Sequence, residues 1–321
     1  MTEQSKIEKS GAKKPSLLER ANTKFGLDKV NAAKVPSNLP EGQKRAPSAA
    51  APAPIAGGGT AASQKPAEAP ERSVALSGPK CIVDRERLRK EGLIVPEDPV
   101  TELLEEFRIV KRELIADARA HNNKRSRRIV VSSPHPAEGK TYCAVNLAIA
   151  LAAERDFEVV LIDADTIKPS VAKRLGLSDE VAEGKGLMDA IADPSLKVEK
   201  LARQTDIDRL YVLPAGSSSA RDSELLASVR TAEVLDRLTA GAPNRFVIID
   251  TPPALAASPA AELAAHVGQT VLIVRAGNTG RAPLEDAQQL LSACPDIKLL
   301  LNAAQFSPSG RRFGDYGERE D

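Results

Sequence analysis

The sequence predicts an α/β fold: a doubly wound, mainly parallel sheet flanked by a long N-terminal region and a short tail without folds of their own. Three observations carry this prediction. From about Cys81 onward, short runs rich in Val, Ile and Leu alternate with helical stretches, the pattern of βαβ units. The runs show little polar alternation, as strands buried on both faces of a parallel sheet do. Residues 81–305 are also numerous enough to bury a sizeable core.

In chain order, residues 1–80 come first. Val35–Pro79 is rich in Ala, Pro, Gly and Ser, with too few large apolar groups to offset the entropy of ordering, and reads as disordered. Leu17, Leu18, Ala21 and Phe25 have some helical spacing; a weakly helical tail and a short partner-docking helix are the two readings. Leading helices are expected over Asp84–Glu91 and Val100–Ala118, within 81–127. Six strands are expected at 127–133, 158–165, 210–216, 245–253, 270–277 and 298–304. Helical stretches between them are TYCAVNLAIALAAE, DSELLASVRTAEVLDRL, SPAAELAAHV and APLEDAQQLLSAC. Residues 306–321 are polar and read as a disordered tail.

Composition removes several functions. The 321 residues carry 45 Lys+Arg against 44 Asp+Glu, a net charge of +1, and only 3% aromatics. Neither bulk positive charge nor a base-stacking platform for nucleic acid is implied. Cys81, Cys143 and Cys294 are scattered without CxxC spacing, which argues against a zinc site or a disulfide framework. No apolar run approaches the ~18 residues of a membrane span, and the polar first residues lead into no apolar signal segment. A cytoplasmic chain with reduced thiols is expected.

The first core strand runs into Ser133-Pro134-His135-Pro136-Ala137-Glu138-Gly139-Lys140-Thr141, with a helix after it. GKT between a buried strand and a helix is a phosphate-binding arrangement. Backbone N–H groups of Glu138 to Thr141 would face the anion at the positive end of the helix. Lys140 would sit on the β- and γ-phosphates, and the Thr141 hydroxyl on Mg²⁺. Pro134 occupies the place of the first glycine of GxxxxGK[ST]. The expected ATP-binding set is Pro136, Ala137, Glu138, Gly139, Lys140, Thr141 and Tyr142, although packing alone accounts for a Tyr142 side chain on the helix. The fold is therefore expected to be of the P-loop NTPase type.

Asp163 and Asp165 stand two apart at the end of the second core strand, so both side chains point the same way. The carboxyl ends of such strands form the ligand crevice. The pair reads either as one Mg²⁺-associated carboxylate with one general base, or as an acidic turn capping the next helix. A third apolar strand ends in Asp250-Thr251-Pro252-Pro253, and Asp250 reads as a further Mg²⁺ anchor.

These motifs resemble those of the bacterial tyrosine kinases of polysaccharide synthesis and export, especially the exosortase-associated autokinases. A [GAS]xxPxxGK[ST] Walker A is matched by Ser133, Pro136, Gly139, Lys140 and Thr141. An apolar DxD strand is matched by Asp163 and Asp165, and a D[ST]PP Walker B by Asp250–Pro253. The resemblance implies that Lys140 binds phosphates, that Thr141, Asp165 and Asp250 hold Mg²⁺ or its waters, and that Asp163 accepts the proton of a tyrosine hydroxyl. It implies ATP and Mg²⁺ as cofactors. The family's ExxRxxR self-association motif is approximated by Glu105, Arg108 and Lys111, implying a homo-oligomer; an ordinary charge pair on a solvated helix is the other reading. A membrane chain-length determinant (polysaccharide co-polymerase) is the implied partner, recruiting the chain to the inner face of the membrane. The family's tail usually carries a tyrosine cluster, whereas here Tyr316 is the single candidate phosphoacceptor; Tyr142 and Tyr211 fall in an expected helix and strand.

Two alternatives stand beside an autokinase. One is an ATP-binding assembly switch for the membrane co-polymerase without kinase activity, which the tyrosine-poor tail favours. The other is a partitioning ATPase of the ParA/MinD type, disfavoured because His135 replaces the extra lysine of its KGGxGK[ST] loop.

Overall fold

A computed structural model describes residues 73–304. Most of the expected N-terminal disordered region, the Leu17–Phe25 segment and the tail with Tyr316 lie outside the described residues.

The strands are β1 (Lys80–Cys81), β2 (Arg128–Ser132), β3 (Glu158–Asp163), β4 (Arg203–Thr205), β5 (Leu210–Leu213), β6 (Arg245–Asp250), β7 (Gln269–Arg275) and β8 (Ile297–Asn302). They form one sheet in the order β1-β4-β5-β3-β6-β2-β7-β8. Every pairing is parallel except β4 with β5. All six expected strands are present, and the α/β reading holds. β1 and β4 were not expected, because two- and three-residue strands carry no apolar run to betray them. β4 turns back onto β5 through a tight loop held by Thr205, whose hydroxyl donates to Leu210 O at 2.9 Å. The domain also begins earlier than residue 81: the Val74 and Ser77 N–H groups donate to Ala240 O and Glu199 O before β1 starts.

The helices are α1 (Arg85–Lys90), α2 (Glu102–His121), α3 (Lys140–Ala152), α4 (Val171–Arg174), α5 (Asp179–Ala182), α6 (Leu187–Ala192), α7 (Val198–Leu201), α8 (Asp222–Leu226), α9 (Val229–Thr239), α10 (Pro259–Ala264) and α11 (Arg281–Leu290). The side chains of Asp84 and Thr101 accept from the Arg87 and Leu104 N–H groups and so start α1 and α2. The stretch expected as one helix over 222–238 is two. Ser228 adopts extended backbone there, and its hydroxyl donates to Leu225 O at 2.6 Å, competing with the helical ladder.

Strand periodicity divides the core. Ile129, Val131, Val159, Leu161, Phe246 and Ile248 face one side, packed under α2 and α3 with Leu114, Leu147 and Leu151. Val130, Val160, Ile162, Val247 and Ile249 face the other, against Leu187, Leu235, Leu238 and Leu263. Covering both faces leaves the central strands β3, β6 and β2 accessible only at their ends, and their carboxyl ends lie side by side. No helix among the described residues is long and apolar enough to cross a membrane.

Candidate active site

The loop after β2 reverses into α3 through two residues in the left-handed region, Ala137 (φ 64°) and Gly139 (φ 100°). Gly139 is the N-cap of α3, so the first N–H groups of that helix stay free for an anion. Gly139 takes a conformation that residues with a Cβ rarely adopt, and a Cβ there would lie 2.0 Å from the Asn302 amide.

Glu138 places an acid in this loop, yet its carboxylate turns away from the helix N-terminus. It is 1% exposed and accepts from the His135 N–H at 2.8 Å and from the Thr279 hydroxyl. Ser133 Oγ donates to His135 O at 2.7 Å. His135 thus serves the loop through its main chain.

The charged groups meet one layer beneath. Lys140 Nζ lies 2.8 Å from Asp165 Oδ2 and 3.9 Å from Asp250 Oδ1. The Thr141 hydroxyl donates to Asp250 Oδ2 at 2.6 Å and accepts from Ser170 Oγ at 3.1 Å. Asp250 is fully buried, and its Oδ1 has no hydrogen-bond partner. Burial pushes the Asp250 carboxyl up to about 7; Lys140 opposes this, and the nearby Asp163 charge adds to it. Asp163 is also pushed up by burial, against the pull of backbone N–H donors. Its Oδ2 accepts from the Ser170 and Val171 N–H groups at 2.8 and 2.9 Å. Its Oδ1 accepts from the Asp165 N–H at 3.1 Å. Asp163 therefore also caps the turn into α4, as the acidic-turn reading expects.

A cleft of about 440 Å³ opens over these groups, lined among others by Pro136, Ala137, Gly139, Lys140, Thr141, Asp165, Ser170 and Arg174. The expected residues are thus brought together, with Asp163 and Asp250, 2% and 0% exposed, underneath. The Tyr142 side chain does not line the cleft; its hydroxyl donates to Gly92 O at 2.8 Å, which leaves its main chain for a ligand.

Among the described residues, no three His, Cys, Asp or Glu side chains form a metal cage. The donors present still fit Mg²⁺, a hard ion that takes one or two carboxylates and completes its shell with phosphates and water. The buried Asp250 Oδ1 makes no hydrogen bond and has the Lys140 ammonium 3.9 Å away, which leaves a lone pair open to a ligand ion.

Two residues of the proposed self-association motif are solvent-accessible and the third is buried. Glu105 and Arg108 pair with each other, but Lys111 is 5% exposed. Its ammonium reaches Ala150 O at 2.9 Å and Glu154 Oε1 at 2.7 Å, tying α2 to α3. The i, i+3 spacing put it on the motif's face, but the packing of α3 turned it inward.

Ser170, Arg174, Arg275, Thr279 and Asn302 were not expected at the site. Ser170 and Arg174 follow the DxD strand one helical turn apart, a spacing that could have suggested them. Nothing local distinguishes the other three, which arrive from the end of β7, the turn after it and the end of β8.

The AAA domain family matches residues 126–304. A relative named putative tyrosine-protein kinase EpsB, from Ralstonia solanacearum, is 31% identical over 227 residues, 70% of this chain; the chain spans only 28% of that relative's length. Tyrosine-protein kinase YwqD of Bacillus subtilis is 29% identical over 62% of this chain and 81% of its own. The kinase domain of Escherichia coli tyrosine kinase ETK superposes with a TM-score of 0.55 at 22% identity, covering 72% of this chain and 98% of that one. The last comparison establishes a shared fold, and the names of the relatives bear out the resemblance to bacterial tyrosine kinases.

Proposed function

The chain belongs to the AAA domain family, and from that premise we propose that it is an ATP-dependent protein tyrosine autokinase acting in exopolysaccharide synthesis and export. The observation that supports this most is the meeting of Lys140, Thr141, Asp165 and Asp250 under one cleft, carried there by three neighbouring strand ends.

In this reading, backbone N–H groups from Glu138 to Thr141 orient the triphosphate, and Lys140 exchanges Asp165 for the β- and γ-phosphates. Thr141, Asp165 and Asp250 would hold Mg²⁺ directly or through water. Bound there, the ion supplies neutralisation of the phosphate charge. The tyrosine oxygen forms the new bond to the γ-phosphorus, the bond to the ADP oxygen breaks, and Asp163 takes the phenolic proton. Burial raises the Asp163 carboxyl and so makes it a stronger base than an exposed carboxylate. Tyr316 is the proposed acceptor, a second copy the proposed neighbour, and a membrane polysaccharide co-polymerase the proposed partner that brings the chain to the inner face of the membrane.

A second reading is a nucleotide-gated assembly switch without phosphotransfer. It is favoured by the three N–H donors already engaged at Asp163. Phosphopeptide mapping after incubation with ATP and Mg²⁺ separates the two. The kinase reading expects phosphate on Tyr316 and none in Asp163→Asn; an unmodified chain that still assembles on ATP supports the switch.

A further inference from the structure

The phosphate loop is held from outside by two residues of the β7–β8 edge. Arg275 Nη1 donates to Ala137 O at 2.8 Å, and Asn302 Nδ2 donates to Glu138 O at 2.8 Å. These are consecutive carbonyls. A trans peptide is planar, so its N–H points opposite to its C=O. Anchoring Ala137 O toward β7 turns the Glu138 N–H the other way, and anchoring Glu138 O toward β8 does the same for the Gly139 N–H. Ala137 and Gly139 line the cleft, which is the side these N–H groups are left to face.

We infer that Arg275 and Asn302 are positioning residues, which set the two N–H groups that cradle the β-phosphate of a bound nucleotide. This rests on the nucleotide-binding part of the proposed function and on no part of the phosphotransfer. The loop needs such support. It starts on Pro134 where a glycine is usual, and it holds Ala137 at φ 64°, a conformation costly for a residue with a Cβ.

The clasp is itself tied together. The Thr279 hydroxyl accepts from the Arg275 N–H at 2.9 Å and donates to the Glu138 carboxylate. The Ala276 N–H donates to Asn302 O at 2.9 Å, joining the two arms. Asn302 also fills the space over Gly139. Because Arg275 is exposed and Asn302 half-buried, shortening either side chain leaves the core intact.

The test is calorimetric titration of the full chain with ADP in the presence of Mg²⁺, alongside thermal melting, for wild type, Arg275→Ala, Asn302→Ala and Arg275→Lys. Losing either hydrogen bond is expected to weaken ADP about tenfold with the melting temperature unchanged, and lysine, which keeps a donor, recovers part of the affinity. Unchanged ADP affinity in both alanine variants overturns the inference. So does a loss of affinity that tracks a fall in melting temperature, which assigns the two residues to folding alone. Absence of ADP uptake by the wild type fails at an earlier point, because it removes the nucleotide reading itself.

Discussion

Asp163 and Asp250 stand directly opposite each other at the ends of the paired strands β3 and β6. Two buried carboxylates in register repel unless a cation or proton intervenes. In the free protein, Lys140 is the nearby cation, bonded to Asp165 and 3.9 Å from Asp250. The same arrangement that prepares the cleft for a charged ligand therefore strains it without one.

Asp250→Asn is expected to stabilise the free protein. The Asp250 pKa is raised to about 7, so between roughly pH 4 and 7 the folded state holds a proton that the unfolded state lacks, and stability falls as pH rises through that window. Removing the charge restores ~2–4 kcal/mol at pH 8 while weakening Mg²⁺-dependent nucleotide binding. Denaturant titrations at pH 5 and pH 8 check this: the gain should be large at the higher pH and small at the lower.

Lys140→Met should do the reverse. It leaves Asp165 and Asp250 without their cation, lowering stability by ~1–3 kcal/mol, and it removes the ammonium from the phosphate site. Calorimetry should register at least tenfold weaker uptake of ATP with Mg²⁺.

Lys111→Ala is expected to cost ~1–3 kcal/mol of stability, because Glu154 and the Ala150 carbonyl lose a buried donor. Sedimentation velocity with ATP should find its assembly unchanged, whereas Glu105 and Arg108 remain candidates for a contact between copies. Weakened assembly with unaltered stability would return Lys111 to the motif.

Gly139→Ala combines a strained backbone with a clash on Asn302. Nucleotide uptake should fall more than tenfold, with the loss visible in equilibrium titration and not only in turnover.

Much of this site is legible in the sequence alone. The apolar strands ending in Asp163 and Asp250, and GKT between strand and helix, carry local signals, because buried strands demand apolar runs and a phosphate loop demands its glycine. What stayed hidden depends on distant pairing. Nothing near Asn302 in the chain announces that β8 lies two places from β2, close enough to reach the phosphate loop. Lys111 misled for a related reason, since spacing fixes a helix face while only packing decides whether that face sees water. Ser228 broke an expected helix through one side-chain hydrogen bond.

Whether the chain transfers phosphate to tyrosine is decided by immunodetection of phosphotyrosine on the purified chain, incubated with ATP and Mg²⁺ alongside the cytoplasmic part of a co-polymerase partner. Signal is expected on the wild type, with its loss in Lys140→Met, in Asp163→Asn and in Tyr316→Phe. A wild-type chain that binds ATP yet carries no phosphotyrosine, or a Lys140→Met chain as strongly modified as the wild type, would contradict this.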